Sequence, residues 1–313
     1  MRFSVLLLLS LVLLPGLESA RAEKVFVCAG SSVETGGRAA AKPARSGTEG
    51  TRRALALFAR FRGEERGWQG VPEWSGGLFD PERPGSFSHF YDAMSFGKLQ
   101  VRGKVASRVY ESEREVGAYL AEERTEIGDF GSFCLELLRQ ADGEIDFARF
   151  DDDGPDGIPN SGDDDGVVDA LFILLASAPT NFLLGSATGF GSLGFEGDFR
   201  TDDPGISGKS IRISADQGTI QQGRNFAEGV GSMCHEYGHV LGLPDLYDTE
   251  FLSRQGAGPE EDSAGIGVWG LMGWGATGWS GGNGPNSFCA WSRARLGWSE
   301  VAEVNDVVEE VRL

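Results

Sequence analysis

Histidine is scarce in this chain, with three in 313 residues. Chemistry spread over many imidazoles is therefore excluded, and where the three fall becomes informative. The four cysteines, Cys28, Cys134, Cys234 and Cys289, include no CxxC pair, which excludes a structural thiolate zinc site of the usual spacing. They permit three disulfide pairings, and the sequence selects none. Basic residues are few, 28 Lys+Arg against 47 Asp+Glu. A surface that acidic repels nucleic-acid phosphates and anionic lipid, so neither is expected as a partner, while cations are attracted. Beyond the first residues no segment approaches the roughly 18 apolar residues of a membrane-spanning helix. No repeat of about 20 to 50 residues is evident, which argues against a solenoid or propeller.

What is present begins with MRFSVLLLLSLVLLPGLESARAE. Arg2 precedes an apolar run from Val5 to Leu14, Pro15 and Gly16 break it, and Ala20-Arg21-Ala22 has the small-x-small form of a signal-peptidase site. The run is about ten residues, too short to cross a bilayer. Residues 1–22 are read as a signal peptide cleaved after about Ala22, and the mature chain as secreted, without a membrane anchor and monomeric. Cleavage removes Arg2, Arg21 and Glu18, so 28 basic and 47 acidic residues become 26 and 46, a net charge of −20. Val27 stands where a small residue would precede a lipidated cysteine, so Cys28 is not a lipid site.

Residues 23–51 are small, polar and rich in Gly, Ala and Pro, as in a linker or short pro-segment. The pattern predicts a first strand at 54–61, a helix at about 86–95, a turn at Phe96-Gly97-Lys98 and a strand at about 99–106. EVGAYLAEE and FGSFCLELLRQAD both have helical spacing. An Asp-rich loop, 151–169, runs into the buried strand ALFILLAS. Residues 180–225 read as Gly-rich and irregular, a helix follows at about 226–241, and a terminal helix at about 290–298. Strands interleaved with helices suggest an α/β or α+β domain.

Two of the three histidines fall four residues apart in MCHEYGHVLGLPDLYD. On a helix that spacing puts His235 and His239 on one face, able to aim two imidazoles at one point. Neutral imidazole is a favoured zinc donor. Glu236, beside that pair, can reach a water at the metal as a base without being a ligand. A catalytic zinc usually has a third protein ligand. His89, the remaining histidine, lies far upstream and reads as structural. Gly242 is placed to end the helix, Pro244 prevents its continuation, and the chain turns back to Asp245. The motif is then HExxHxxGxxD, with His235, His239 and Asp245 as zinc ligands. A chance HExxH on a surface helix is the alternative. Apolar Val230, Met233, Val240 and Leu241 argue instead for a buried helix, where unpartnered polar groups would be costly.

HEYGHVLGLPDLYD followed by GVWGLMGWG resembles the M6 metallopeptidases, the immune inhibitor A type, within the metzincins. SFSHFYDAMSFGKLQVRGKV, DDDGVVDALFILLA and PNSFCAWSRARLGW are similar to further stretches of that family, so the likeness spans roughly 52–300. The resemblance implies an α+β metzincin-like zinc-protease domain, with a mixed twisted sheet, an active-site helix and a Met-turn. It implies Glu236 as general base, and Met272 as the methionine beneath the metal. Some metzincins carry a tyrosine two residues past that methionine; Trp274 stands here, leaving oxyanion stabilisation unassigned. The longer family architecture continues into β-rich domains, and 301–313 reads as a tail where one would begin.

FDDDGPDGIPNSGDDDGVVDALF carries eight aspartates. Alternate aspartates with glycines at sharp bends are how a loop wraps calcium, although the twelfth-position glutamate of an EF-hand is missing. Asp151, Asp153, Asp156, Asp163, Asp165 and Asp169 are the candidate calcium ligands; a solvated acidic loop is the alternative. Tyr237 and the tryptophans 269, 274, 279, 291 and 298 read as core, and Tyr247 and Asp248 as hydrogen-bonding residues. The function expected is a secreted zinc endopeptidase acting on protein or peptide substrates. The competing readings are an exported, metal-stapled binding or adhesion module and a zinc hydrolase of non-peptide amides.

Overall fold

The computed structural model describes residues 47–206, 208–249 and 264–300. The expected signal peptide, residues 23–46 of the linker, Cys28 and the tail 301–313 lie outside the described residues. Among the described residues seven strands are formed: β1 (Gly50–Arg60), β2 (Leu99–Glu111), β3 (Ala170–Leu175), β4 (Gly189–Phe190), β5 (Asp198–Pro204), β6 (Ser210–Ser214) and β7 (Gly218–Gln222). The helices are α1 (Phe87–Met94), α2 (Phe130–Asp142), α3 (Phe226–Val240) and α4 (Ala290–Arg295).

β1 is apolar on both faces. Ala54, Ala56 and Phe58 point to one side and Leu55, Leu57 and Ala59 to the other, and none is more than 2% exposed. A strand of that pattern belongs inside a sheet covered on both sides. It pairs in parallel with β2 and with β3, β3 pairs in parallel with β7, and β4 closes the edge antiparallel to β7. The order is β2-β1-β3-β7-β4, and β5 and β6 form a separate two-stranded ribbon. The fold is thus α+β, with a mostly parallel sheet. α2 covers the face of Leu55 and Leu57, and α1 and α3 cover the face of Ala56 and Phe58. Each of these three helices starts on a side-chain cap: Ser86 accepts from His89 N, Asp129 from Ser132 N and Asn225 from Glu228 N. Such caps contribute about 1 kcal/mol each by satisfying a terminal N–H.

Several expectations are corrected. EVGAYLAEE forms only a short 3-10 turn, Val116–Ala118. Its backbone is claimed from outside: Asp129 N donates to Tyr119 O, and Ala121 N donates to Asn181 O. Residues 180–225 are not irregular but carry β4 to β7. β7 escapes the usual pattern because its buried polar side chains satisfy one another, Thr219 Oγ1 donating to Gln221 Oε1 and Gln221 Nε2 to Ile173 O. Trp269, Trp279 and Trp291 are not core but 76%, 57% and 47% exposed; the first two pack edge-to-face against each other. Trp298 is buried as expected. Cys134, Cys234 and Cys289 are free thiols, so no disulfide forms among the described residues.

Candidate metal centre

α3 is buried along nearly its whole length, from Glu228 to Val240. Its start is held by Asn225 and by Glu228, which accepts from Arg224 and from Gln222 Nε2. Its flank is held by Tyr91 of α1, whose hydroxyl donates to Cys234 O at 2.7 Å. Tyr237 packs edge-on against Tyr91 and Phe87, as the core reading expected. Met272 lies against the helix at Gly238, where a Cβ would come within 2.6 Å of its sulfur.

The helix ends as the sequence predicts. Gly242 takes φ +96°, Gly242 N donates to His239 O, and Leu243 N donates to Gly238 O. This pair of bonds is the Schellman termination, which needs a left-handed residue after the cap. The reversal brings Asp245 back over the helix face. His235 Nε2 lies 3.0 Å from Asp245 Oδ1, and His239 Nε2 lies 3.5 Å from the same oxygen. The far nitrogens face backbone carbonyls, His235 Nδ1 at 2.7 Å from Leu271 O and His239 Nδ1 at 2.8 Å from Leu243 O. A carbonyl only accepts, so each Nδ1 carries a proton.

That tautomer decides the chemistry. A neutral ring protonated at Nδ1 turns an Nε2 lone pair toward a carboxylate lone pair, so a proton or a metal cation must stand between them. The three ligand atoms lie within 4.8 Å of one another. Two imidazole nitrogens with fixed outer hydrogen bonds and one carboxylate suit a zinc-type cation. Burial by itself pushes the pKa of His239 down, but the carboxylates of Asp245 and Glu236 outweigh it and raise it to about 9. Burial likewise pushes Asp245 up, yet His239 and His235 hold its carboxyl well below the ordinary range. Glu236 is fully buried beside the pair, under the edge strand β4. Gly189 makes room for it: a Cβ there would lie 2.8 Å from Glu236 Cδ and closer still to Oε1.

The Asp-rich loop is only partly as expected. Asp151 and Asp153 offer oxygens within 4.8 Å of one another and of Asp164, a residue outside the expected set. Asp156, Asp163, Asp165 and Asp169 are not in that cluster; they accept backbone N–H groups from Ile158, Asp156, Val167 and Arg53 respectively, as Asp151, Asp153 and Asp164 do from Gly166, Asp165 and Gly154. Burial, then Asp164, Asp165 and Asp153, raise Asp151 to about 7. Burial also raises Asp169 to about 8. Asp151 Oδ1 is buried with no hydrogen-bond partner. His89, half-buried on α1, accepts from Gly85 N and lies outside both clusters.

Three contributors escaped sequence reasoning: the carbonyls of Leu243 and Leu271, and Gly189. Main-chain acceptors carry no residue signature, and one glycine among 47 announces nothing.

A sequence profile for the immune inhibitor A peptidase M6 catalytic domain matches residues 73–299. The chain belongs to the M6 peptidase family. M6 relatives include the Pre-pro-metalloprotease PrtV of Vibrio cholerae, 27% identical over an alignment of 231 residues that covers 67% of this chain and 23% of that protein. Immune inhibitor A of Bacillus thuringiensis subsp. alesti is 28% identical over 255 residues, 73% of this chain and 35% of that one. The chain therefore spans only 23% to 35% of the length of these M6 relatives. A solved structure, metalloproteinase-II from Bacteroides fragilis, aligns over 81% of this chain and 54% of its own at 14% identity, with a TM-score of 0.36. That superposition is too loose to support an argument. β1, an interior strand that contributes to both cores, precedes the matched M6 region.

Proposed function

We propose that the protein is an exported zinc metalloendopeptidase. The observation that carries this reading is the convergence of His235, His239 and Asp245 beside the buried carboxylate of Glu236. A zinc ion held by those three residues would supply Lewis acidity, acidifying a water and polarising the scissile carbonyl. Glu236 accepts a proton from the attacking water and passes it to the departing amine nitrogen. His235 and His239 are kept in the ligating tautomer by Leu271 O and Leu243 O, and Asp245 is presented by the Gly242 turn. Met272, packed on α3 at Gly238, is assigned the Met-turn position. A purely structural zinc site has no task for a base, which disfavours the metal-stapled binding module.

Residues 1–22 are assigned as the signal peptide, 23–51 as linker or pro-segment and 52–300 as the catalytic domain, acting on protein or peptide substrates as a monomer. No helix among the described residues is long and apolar enough to cross a membrane. We assign a calcium ion to Asp151, Asp153 and Asp164, supported by the buried Asp151 Oδ1.

Digestion of casein by the purified full chain tests the reading. Activity should vanish with a chelator and return with zinc. Glu236→Gln should bind zinc and fold normally yet lose hydrolysis by several orders of magnitude. Undiminished hydrolysis by that variant would remove Glu236 from its role, and zinc-loaded wild type inert on casein and gelatin would refute the endopeptidase reading.

A further inference from the structure

A cavity of about 540 Å³ opens on the sheet face opposite α1 and α3, away from the metal centre. In a chain of net charge −19 its walls are basic: Arg53, Arg102, Lys104 and Arg149 line it, with Asp146 as the acidic member. The strand register produces this cluster. Arg53 of β1 stands directly beside Arg102 of β2, and Leu55 stands beside Lys104, so Arg102 and Lys104 share the face of Arg53. Adjacent strands are about 4.8 Å apart, so the two arginines sit as like-charged neighbours, an arrangement that is destabilising by itself. The 3-10 turn Phe147–Phe150 brings Arg149 from the opposite wall.

Arg53 is neutralised, its Nε 2.6 Å from the buried Asp152. Among the described residues, no hydrogen bond or ion pair reaches the side chains of Arg102, Lys104 or Arg149. An acidic protein has many carboxylates with which to quench three cations, and these three are left facing one hollow.

We propose that this cavity is a binding site for a tetrahedral oxyanion, a sulfate or phosphate group carried by a larger ligand. Two guanidinium forks and an ammonium suit such a group, because arginine pairs its oxygens two at a time and lysine adds a compact charge. The cavity exceeds the size of a free ion and accommodates the sugar or other carrier to which the group is attached. The site is separate from the metal centre and does not depend on the peptidase reading.

The test is calorimetric titration of the full chain, at 50 mM NaCl, with two probes. A heparin-type sulfated tetrasaccharide represents sulfate esters, and glucose 6-phosphate represents phosphate esters. Binding of either probe, weakened at least tenfold by raising NaCl to 500 mM, is expected, and the tighter probe identifies the source. Arg102→Gln with Lys104→Gln should weaken binding at least tenfold, and so should Arg149→Gln on a separate element. Arg66→Gln, an exposed cation elsewhere, should leave it unchanged. Either cavity variant suffices if the other fails to fold, as judged by circular dichroism. Absence of binding for both probes would overturn the proposal, as would equal losses in the Arg66 variant. Binding unaltered in the folded cavity variants would also overturn it.

Discussion

Replacing Gly189 by alanine should disable catalysis while sparing fold and metal. Gly189 sits on the short edge strand β4, opposite Gln221, and its φ is not in the left-handed region. Alanine therefore fits the backbone, and its smaller unfolded-state entropy favours folding by about 0.4–1 kcal/mol. Space is what is missing. The added Cβ would stand 2.8 Å from Glu236 Cδ, against an ordinary contact of 3.4 Å or more, and nearer still to Oε1. The carboxylate is the movable end of a side chain, so it yields, by roughly 1 Å; a misplacement of that size can cost about 100-fold in rate. This corresponds to about 2.7 kcal/mol of lost transition-state stabilisation. The three atoms nearest the new methyl all belong to Glu236 and none to a metal ligand, so zinc content by elemental analysis should match wild type. The assay is kcat on a fluorogenic peptide with the melting temperature measured in parallel. Wild-type turnover in a folded, zinc-loaded Gly189→Ala protein would refute the crowding argument and the placement of the base beneath β4.

Asp245→Ala should lower zinc occupancy far more than folding stability, because it removes one of three ligands at a turn that Gly242 and Leu243 still close; full zinc content would show that the third ligand lies elsewhere. Zinc affinity should rise about tenfold per pH unit from pH 7 toward 9. His239 without metal holds its proton up to about 9, and that proton must leave on binding. Competition against a chelator measures this, and a flat profile between pH 7 and 8.5 would contradict the Asp245–His239 pairing. Calcium at about 100 times its Kd should stabilise the protein by about 2.7 kcal/mol, or roughly 5–10 °C in Tm. An unmoved Tm with zinc held constant would mean that Asp151, Asp153 and Asp164 form only a solvated acidic loop.

Much of this molecule was legible in one dimension because the relevant physics is local. His235 and His239 share a helix face by spacing alone, and Gly242 with Pro244 dictates where that helix stops. β1 and β3 declared themselves by apolar runs, and α1, α2 and α3 by helical spacing. What escaped depends on partners distant in the chain. EVGAYLAEE has helical spacing, yet Asp129 and Asn181 take its backbone groups. β7 reads as polar loop until Ile173 and its own side chains satisfy it in the sheet. Asp164 lies beside Asp151 and Asp153, where alternation pointed to other aspartates, because loop folding decides which oxygens meet. The sequence by itself placed His235, His239 and Asp245 in one motif and determined the helix that bears the two histidines. Only the tertiary structure decided the tautomers through Leu243 and Leu271, the room for Glu236 beneath Gly189, and the basic hollow built by strand register. These follow from main-chain positions and empty space, which no side-chain identity encodes.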